Sequence, residues 1–299
     1  MSFFENSKAV RITIDPSVTY LNGNMSNAFN NCRNFNSQIT IPNGVTNMTN
    51  TFRMCTNFNQ SVTIPNRVVS MSSTFYNCQN FNQSVTIPNS VVNMSSTFYN
   101  CKNFNQSVTI PNSVVSMSAT FYNCQNFNQS VNIPQNVTDI GSLFINCFNF
   151  NQPVNIPAKY SNRLLYTFMN CTNFNQPVTM PSYATDVYGM FYGCTKFNQP
   201  VNIPSTVTDC AYAFRNCTNM GSDIYIYARS VSNVYGFLYG KNRSKRVNIY
   251  VPNGSATNKK FANTSSSYCI MAPFTITWTN YTNYRYNSYH NIYVYWNKF

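Results

Sequence analysis

A 23-residue period constrains this chain more than any other feature. Nine cysteines, Cys32, Cys55, Cys78, Cys101, Cys124, Cys147, Cys171, Cys194 and Cys217, follow one another at gaps of 23 residues, with one gap of 24 before Cys171. The text between them repeats too, as in Phe81-Asn-Gln-Ser-Val-Thr-Ile-Pro-Asn-Ser-Val-Val-Asn-Met-Ser-Ser-Thr-Phe-Tyr-Asn-Cys101. A fixed period in the low twenties describes a solenoid, in which each repeat is one coil and stacking on neighbours supplies the core. Such a chain grows by adding coils, so its 299 residues do not by themselves set a number of domains.

With Phe81 as position 1, each coil carries apolar residues at positions 1, 5, 7, 11, 14 and 18, proline at 8 and cysteine at 21. Val85-Thr86-Ile87 alternates as a short strand with threonine outward, and Pro88 ends it because proline cannot donate to a ladder. Phe35, Phe58, Phe104, Phe127, Phe150, Phe174 and Phe197 share position 1, so stacked coils should align them in a column at about the 4.8 Å strand spacing. Position 14 holds Met48, Met71, Met94, Met117, Ile140, Val187 and Cys210, which makes Cys210 a core residue in a methionine slot. The extra residue before Cys171 is expected in the irregular stretch from Tyr160 to Tyr166.

The ends degenerate, as terminal coils do. Ile12-Thr-Ile14 to Cys32 reads as a lengthened first coil. Ile224-Tyr-Ile226 to Phe237 reads as a late coil with Gly240 in the cysteine slot, and Val247 to Ser255 as a closing one. Phe274–Trp278 and Asn291–Trp296 alternate like paired strands across a Tyr/Asn-rich connection. The expected organisation is an N-terminal capping coil over 1–32, a solenoid over 33–240, and a C-terminal cap with a basic, Tyr/Asn-rich β module over 241–299.

These residues carry a resemblance. Phe-Asn-Gln-Pro-Val at 150–154, 174–178 and 197–201, and Val-Asn-Met-Ser-Ser-Thr-Phe-Tyr-Asn-Cys at 92–101, resemble BspA-type leucine-rich repeats. Such repeats occur in many bacterial surface proteins and mycoplasma-type lipoproteins. Val247-Asn-Ile-Tyr-Val-Pro-Asn-Gly-Ser255 is similar to the coil that often closes such arrays. The resemblance implies a leucine-rich-repeat solenoid; the cysteine ladder with its ends counts about ten coils, expected to be mostly β and irregular with short parallel strands. The resemblance also implies a role in adhesion without catalysis.

Charge is sparse and lopsided. Charged residues make up 8% of the chain, and its net charge is +13. Nothing after Asp223 is acidic, while nine basic residues follow it: Arg229, Lys241, Arg243, Lys245, Arg246, Lys259, Lys260, Arg285 and Lys298. Lys241, Arg243, Lys245, Arg246, Lys259 and Lys260 form the candidate docking patch for an anionic partner, with an acidic protein favoured over nucleic acid because no nucleic-acid-binding motif accompanies them. The first residues lack the apolar run of a secretory signal, and no stretch reaches the length of a membrane span.

Chemistry is hard to place on this sequence. Metal sites need clustered ligands, whereas the cysteines are evenly spread and the single histidine, His290, lies far along the chain. In-register side chains point alike and bridge poorly, so the thiols read as small buried apolar groups, with no metal and no cofactor. Asp139, Asp186 and Asp209 share position 13 with Asn47, Ser70, Asn93 and Ser116, which suits the capping of turns better than a calcium site. The asparagines at position 2 read as an internal hydrogen-bonded ladder. The candidate ligand-facing ribbon is position 6: Thr40, Thr63, Thr86, Thr109, Asn132, Asn155, Thr179, Asn202 and Tyr225.

The functional expectation is a non-enzymatic protein that displays a solenoid. The first reading is a bacteriophage virion component (tail, fibre or capsid surface), assembled in the host cytoplasm and contacting other virion proteins or a host-surface glycan or protein in a larger assembly. The alternatives are a bacterial or protist BspA-like surface adhesin and a polysaccharide-binding accessory module.

Overall fold

The last third of each coil is a run of turns, and its backbone binds one coil to the next. In a computed structural model that describes residues 4–11, 23–157, 163–252, 255, 257, 279–280, 284–287 and 291–295, the N–H groups at positions 14, 16, 18 and 20 donate forward. Met71 reaches Asn93 O at 2.9 Å, Ser73 reaches Ser95 O at 2.9 Å, Phe75 reaches Thr97 O at 2.9 Å and Asn77 reaches Tyr99 O at 2.6 Å. The intervening N–H groups close turns within the coil, from Thr74 to Met71 O, Tyr76 to Ser73 O and Cys78 to Phe75 O at 3.0–3.1 Å. This alternation puts positions 16 and 20 in the left-handed region, as at Ser73 (φ 54°) and Asn77 (φ 59°). Asparagine tolerates that region better than most residues, and glycine best. Gly193, with φ 73°, leaves room for the Asn170 side chain, whose Oδ1 would lie 2.2 Å from a Cβ there.

Contacts divide the chain into two compact units, Met1–Gln152 and Pro153–Phe299. In the first, Phe4 and Asn6 take the roles of positions 18 and 20 ahead of the coil that ends at Cys32. Phe4 N donates to Ala28 O at 2.8 Å, Asn6 N donates to Asn30 O at 2.9 Å, and the Phe4 ring stacks on Phe29 at 5.3 Å. The expected strand at Ile12–Ile14 lies outside the described residues, as do residues 158–162 of the stretch assigned the extra residue.

The core is phenylalanine, valine, isoleucine and methionine, in the predicted register. Position-1 rings repeat at 6.0 Å (Phe58–Phe81, Phe81–Phe104), wider than the expected 4.8 Å. Each leans on a position-18 ring, as Phe81 does on Phe75 at 4.3 Å, and offset stacks are preferred to eclipsed ones. Cys210 is fully buried and its N–H donates to Asn233 O, the bond made by a position-14 residue.

The strands depart from expectation. Inward–outward alternation holds at Val85-Thr86-Ile87 and its equivalents, yet from residue 23 to 127 neighbouring coils pair only through single parallel bridges at position 13, as Asn47↔Ser70↔Asn93↔Ser116. Strands are β1 (Val131–Asn132), β2 (Val154–Asn155), β3 (Val201–Ile203), β4 (Ile224–Ile226) and β5 (Val247–Tyr250). Proline at position 8 removes a donor where the ladder would extend. Where that proline is replaced, by Tyr227, its N–H donates to Ile203 O at 3.0 Å and the parallel ladder of β3 with β4 lengthens.

In the second unit β3, β4 and β5 run parallel, and β5 pairs in parallel with β8 (Ile292–Tyr295). Antiparallel β7 (Tyr284–Asn287) and β6 (Thr279–Asn280) follow, giving the order β3-β4-β5-β8-β7-β6. The segment read as a connection thus supplies β7, the antiparallel partner of β8, while Phe274–Trp278 lies outside the described residues.

Candidate binding surface

Burying the valine and isoleucine at positions 5 and 7 forces position 6 outward. In the first unit Thr40, Thr63, Thr86, Thr109 and Asn132 are exposed, and in the second so are Asn155, Thr179 and Asn202. Tyr225 is half-buried. In the second unit the surface around Thr179 and Asn202 opens into a cleft of about 490 Å³ whose wall includes Tyr227.

Beyond Asn202 position 6 becomes aromatic. The register Asn202↔Tyr225↔Tyr250↔Tyr295 carries it across β3, β4, β5 and β8. Tyr225 stacks on Tyr250 at 4.7 Å, and Tyr250 on Tyr295 at 5.1 Å. Asp223 anchors the group: its Oδ2 accepts from the Tyr225 and Tyr250 hydroxyls at 3.3 and 3.4 Å, and its Oδ1 from Asn248 Nδ2 at 2.7 Å. Burial, then the Asp223 carboxylate, pushes the Tyr250 phenol up to about 12 and moves Tyr225 the same way. Arg246 lies 4.0 Å over the Tyr293 ring and donates to the Tyr295 hydroxyl at 2.9 Å. The result is a rigid array of phenols with one anion and one cation tied into it.

Three overlapping stretches, residues 2–110, 69–180 and 115–227, match the family described as "Mycoplasma protein of unknown function, DUF285". Together they span far more than half of the 299 residues. The chain belongs to this family. It is the BspA-like leucine-rich-repeat family to which the 23-residue units pointed. Two solved structures are similar to this DUF285 chain. A leucine-rich repeat protein from Bacteroides ovatus is 17% identical over 90% of this chain and 86% of its own, with a TM-score of 0.36. A leucine rich cell surface protein from Faecalibacterium prausnitzii is 20% identical over 81% and 79%, with a TM-score of 0.42. No curated protein matches the chain.

Within the DUF285 repeat the cysteines are buried free thiols. The Sγ of Cys32, Cys55, Cys78, Cys101, Cys124, Cys147, Cys194 and Cys217 donates to a phenylalanine carbonyl one coil back, as Cys101 does to Phe75 O at 3.0 Å. Burial raises the interior thiols such as Cys78, Cys101 and Cys124 well above their ordinary range. The position-13 residues cap turns as expected: Asp186 Oδ1 accepts from Tyr188 N at 2.9 Å and Asp209 Oδ1 from Ala211 N at 2.8 Å, as Asn93 does from Ser95 N at 2.9 Å. No group of three or more His, Cys, Asp or Glu among the described residues could hold a metal. The position-2 asparagines do form a ladder, half-buried and through backbone: Asn59 Oδ1 accepts from Asn82 N at 2.9 Å and from Gln83 Nε2 at 3.0 Å.

The basic patch needs correcting. Lys241, and not Gly240, occupies the cysteine slot, because the bridge Asp209↔Asn233 spans 24 residues where Val201↔Ile224 spans 23. This coil therefore gains a residue between Tyr227 and Asn233, which moves Phe237 to position 17, Leu238 to 18 and Gly240 to 20. Lys241 is 5% exposed, its Nζ donates to Asn242 O and Lys245 O, and burial lowers its pKa to about 8. It is not a surface docking group. Arg243, Lys245 and Arg246 are exposed, and Lys259 and Lys260 lie outside the described residues.

Sequence reading missed two columns. Thr51, Thr74, Thr97 and Thr120 at position 17 are fully buried, each Oγ1 within hydrogen-bond distance of two position-14 carbonyls. Their signal was the recurring Thr-Phe dipeptide. Aromatic residues at positions 15, 16 and 19 also stack, Tyr76–Tyr99–Tyr122 face to face at 4.3–4.4 Å and Tyr166–Tyr188 and Tyr188–Tyr212 edge to face at 5.2–5.3 Å.

Proposed function

We propose that this chain is a non-catalytic recognition protein of the cell-surface, adhesin type, and that it binds an uncharged extended ligand, a polysaccharide, along position 6. The observation that carries the reading is the ribbon itself. Its outward groups are hydroxyls and amides, free of charge from Thr40 to Asn132 in the first unit and from Asn155 to Asn202 in the second, where ordered tyrosines follow Asn202. Outward rows of hydroxyl and amide side chains offer one hydrogen-bonding group per coil, which suits a polymer that repeats. Aromatic rings beside them supply apolar contact area at little entropic cost. Membership of the BspA-like repeat family supports attachment at a surface, and no observation favours the virion component that the sequence alone first suggested.

The test is binding of the purified full chain to an array of neutral glucans, mannans and chitin polymers. Thr63→Lys and Thr86→Lys in the first unit and Asn202→Lys in the second should each weaken binding without shifting the unfolding midpoint, since all three sites are exposed. A blank array, or binding indifferent to all three substitutions, refutes the proposal.

A further inference from the structure

We infer that the cleft beside Tyr227 is a subsite for a single neutral pyranose unit of that polymer, with Tyr227 as its stacking platform. The inference rests on the proposed glycan reading and adds a place, a ligand class and a residue.

The first observation is an exception to the repeat. Position 8 is proline in nine coils, at residues 42, 65, 88, 111, 134, 157, 181, 204 and 252, and Tyr227 replaces it in the coil before the last of these. Tyr227 is 42% exposed in a slot where the array otherwise has a compact side chain. Core packing therefore does not account for an aromatic here. The same coil carries an additional residue between Tyr227 and Asn233, just after the residue that lines the cleft.

The second observation is the lining. Val178 and Met180 form a buried apolar floor, Thr179 and Asn202 present a hydroxyl and an amide, and Ser182 and Ser205 add hydroxyls. Although the chain carries +13, no residue lining this cleft is ionisable at neutral pH. A carboxylate or phosphate placed there would lose water without meeting a cation. A neutral sugar ring fits the chemistry on both sides: its C–H face packs on an aromatic ring and its hydroxyls bond to fixed hydroxyl and amide groups. The volume of about 490 Å³ lies within the ordinary range of small-molecule sites, roughly 300–1,000 Å³. The Tyr227 backbone is held by its bond to Ile203 O, so the ring pivots from a fixed point.

Titration calorimetry of the full chain with cellotetraose, mannotetraose and chitotetraose, against tetragalacturonate as the acidic match, reads the site directly. At least one neutral oligosaccharide should bind, with tetragalacturonate weaker by ten-fold or more. Tyr227→Ala should cost ten-fold or more in affinity, Tyr227→Phe should stay within about two-fold because the ring face is retained, and Thr63→Lys in the other unit should change nothing. Because Tyr227 is exposed, Tyr227→Ala should keep the native urea midpoint, which separates loss of the platform from loss of fold. Native affinity in Tyr227→Ala, equal loss in Tyr227→Phe, or equal binding of the acid overturns the inference. Polymer binding that survives Tyr227→Ala but is lost in the ribbon variants overturns the subsite alone. A blank polymer array, or surface binding abolished by protease treatment of the target cells, overturns the glycan reading with it.

Discussion

Thr97→Val tests whether the buried threonine column holds coils together. Thr97 is fully buried, and its Oγ1 lies 2.9 Å from Met71 O in the preceding coil and 2.7 Å from Met94 O in its own. Valine fills the same volume, so the change opens no cavity and removes only the hydroxyl. Each carbonyl keeps one backbone donor, Met71 O from Thr74 N and Met94 O from Thr97 N, both at 3.1 Å. Neither is stranded, and the cost is that of one shared intramolecular hydrogen bond, about 1–1.5 kcal/mol net. Thr97→Ser keeps the bond and loses a methyl group, about 1 kcal/mol with the small cavity it leaves. Thr97→Ala combines the two, at about 2–3 kcal/mol. In urea unfolding at equilibrium, followed by circular dichroism, the midpoints should fall in the order native, then valine and serine close together, then alanine, at unchanged slope. The pair Thr74→Val and Thr97→Val shares Met71 O, which then keeps only the Thr74 N–H, so the double variant should be worse than the sum of the singles. A Thr97→Val midpoint equal to or above native refutes the reasoning: the column would then be filler chosen for its β-branched shape.

Three other outcomes follow from the structure. The ladder thiols of Cys78, Cys101 and Cys124 are buried and raised, so an aromatic disulfide reagent at neutral pH should label them only at the rate of unfolding; rapid labelling of folded protein contradicts the interior placement. Gly193→Ala sets a Cβ against the Asn170 side chain, which must turn aside, at φ 73° and should cost about 1–2 kcal/mol, read as a lowered urea midpoint. Stability should fall as pH rises from about 10 towards 12, because unfolded tyrosine ionises near 10 while native Tyr250 and Tyr188 hold their protons up to about 12; a flat midpoint across that window contradicts the burial of those phenols. Lys241 acts in the opposite sense between about 8 and 10.4, where the native amine is neutral and the unfolded one charged, so stability should rise across that window and Lys241→Met should abolish the rise while leaving the fall above 10 in place.

The period makes the core legible in the sequence itself, because a repeated sequence repeats its environment. Phe81, Val85, Ile87, Met94 and Cys101 are buried and Thr86 exposed, as counted. Three things were not legible. The coil-to-coil ladder sits mainly in the turns of positions 14 to 20, where left-handed residues alternate with ordinary ones, and no hydrophobic pattern marks that. Thr97 is polar by type and buried by hydrogen bonding to backbone, which patterning by residue type cannot see. Lys241 was misplaced because Phe214 and Phe237 are 23 residues apart, one full period, yet sit in different slots. Their rings meet at 80° where the in-register pairs stack.

The exceptions to the repeat tell more about function than the rule does. Stacking neighbours requires every coil to present the same inward set, so a conforming residue has its structural reason already. A departing residue must be accommodated, and the second unit concentrates departures: tyrosine for proline at 227, tyrosine for threonine at 225 and an added residue between Tyr227 and Asn233. Asp223 sits in the exposed register opposite Asn248, where it anchors the tyrosines. None of these improves the core, which Ile224, Ile226 and Val231 fill as their equivalents do elsewhere. Tyr225 and Asp223 alter the outward face beside β4 and β5, and Tyr227 lines the cleft. A chain under pressure only to lengthen its stack would keep Pro and Thr there. The first unit has the opposite character, with Thr63, Thr86 and Thr109 carried through unchanged. A uniform ribbon can bind a repeating polymer at any register, whereas a single aromatic subsite fixes one register. The coils of the first unit from Pro42 to Pro134 have proline where the second unit has Tyr227, so with the subsite as proposed, Tyr227→Ala should cost the neutral oligosaccharides their affinity while Thr63→Lys leaves it unchanged.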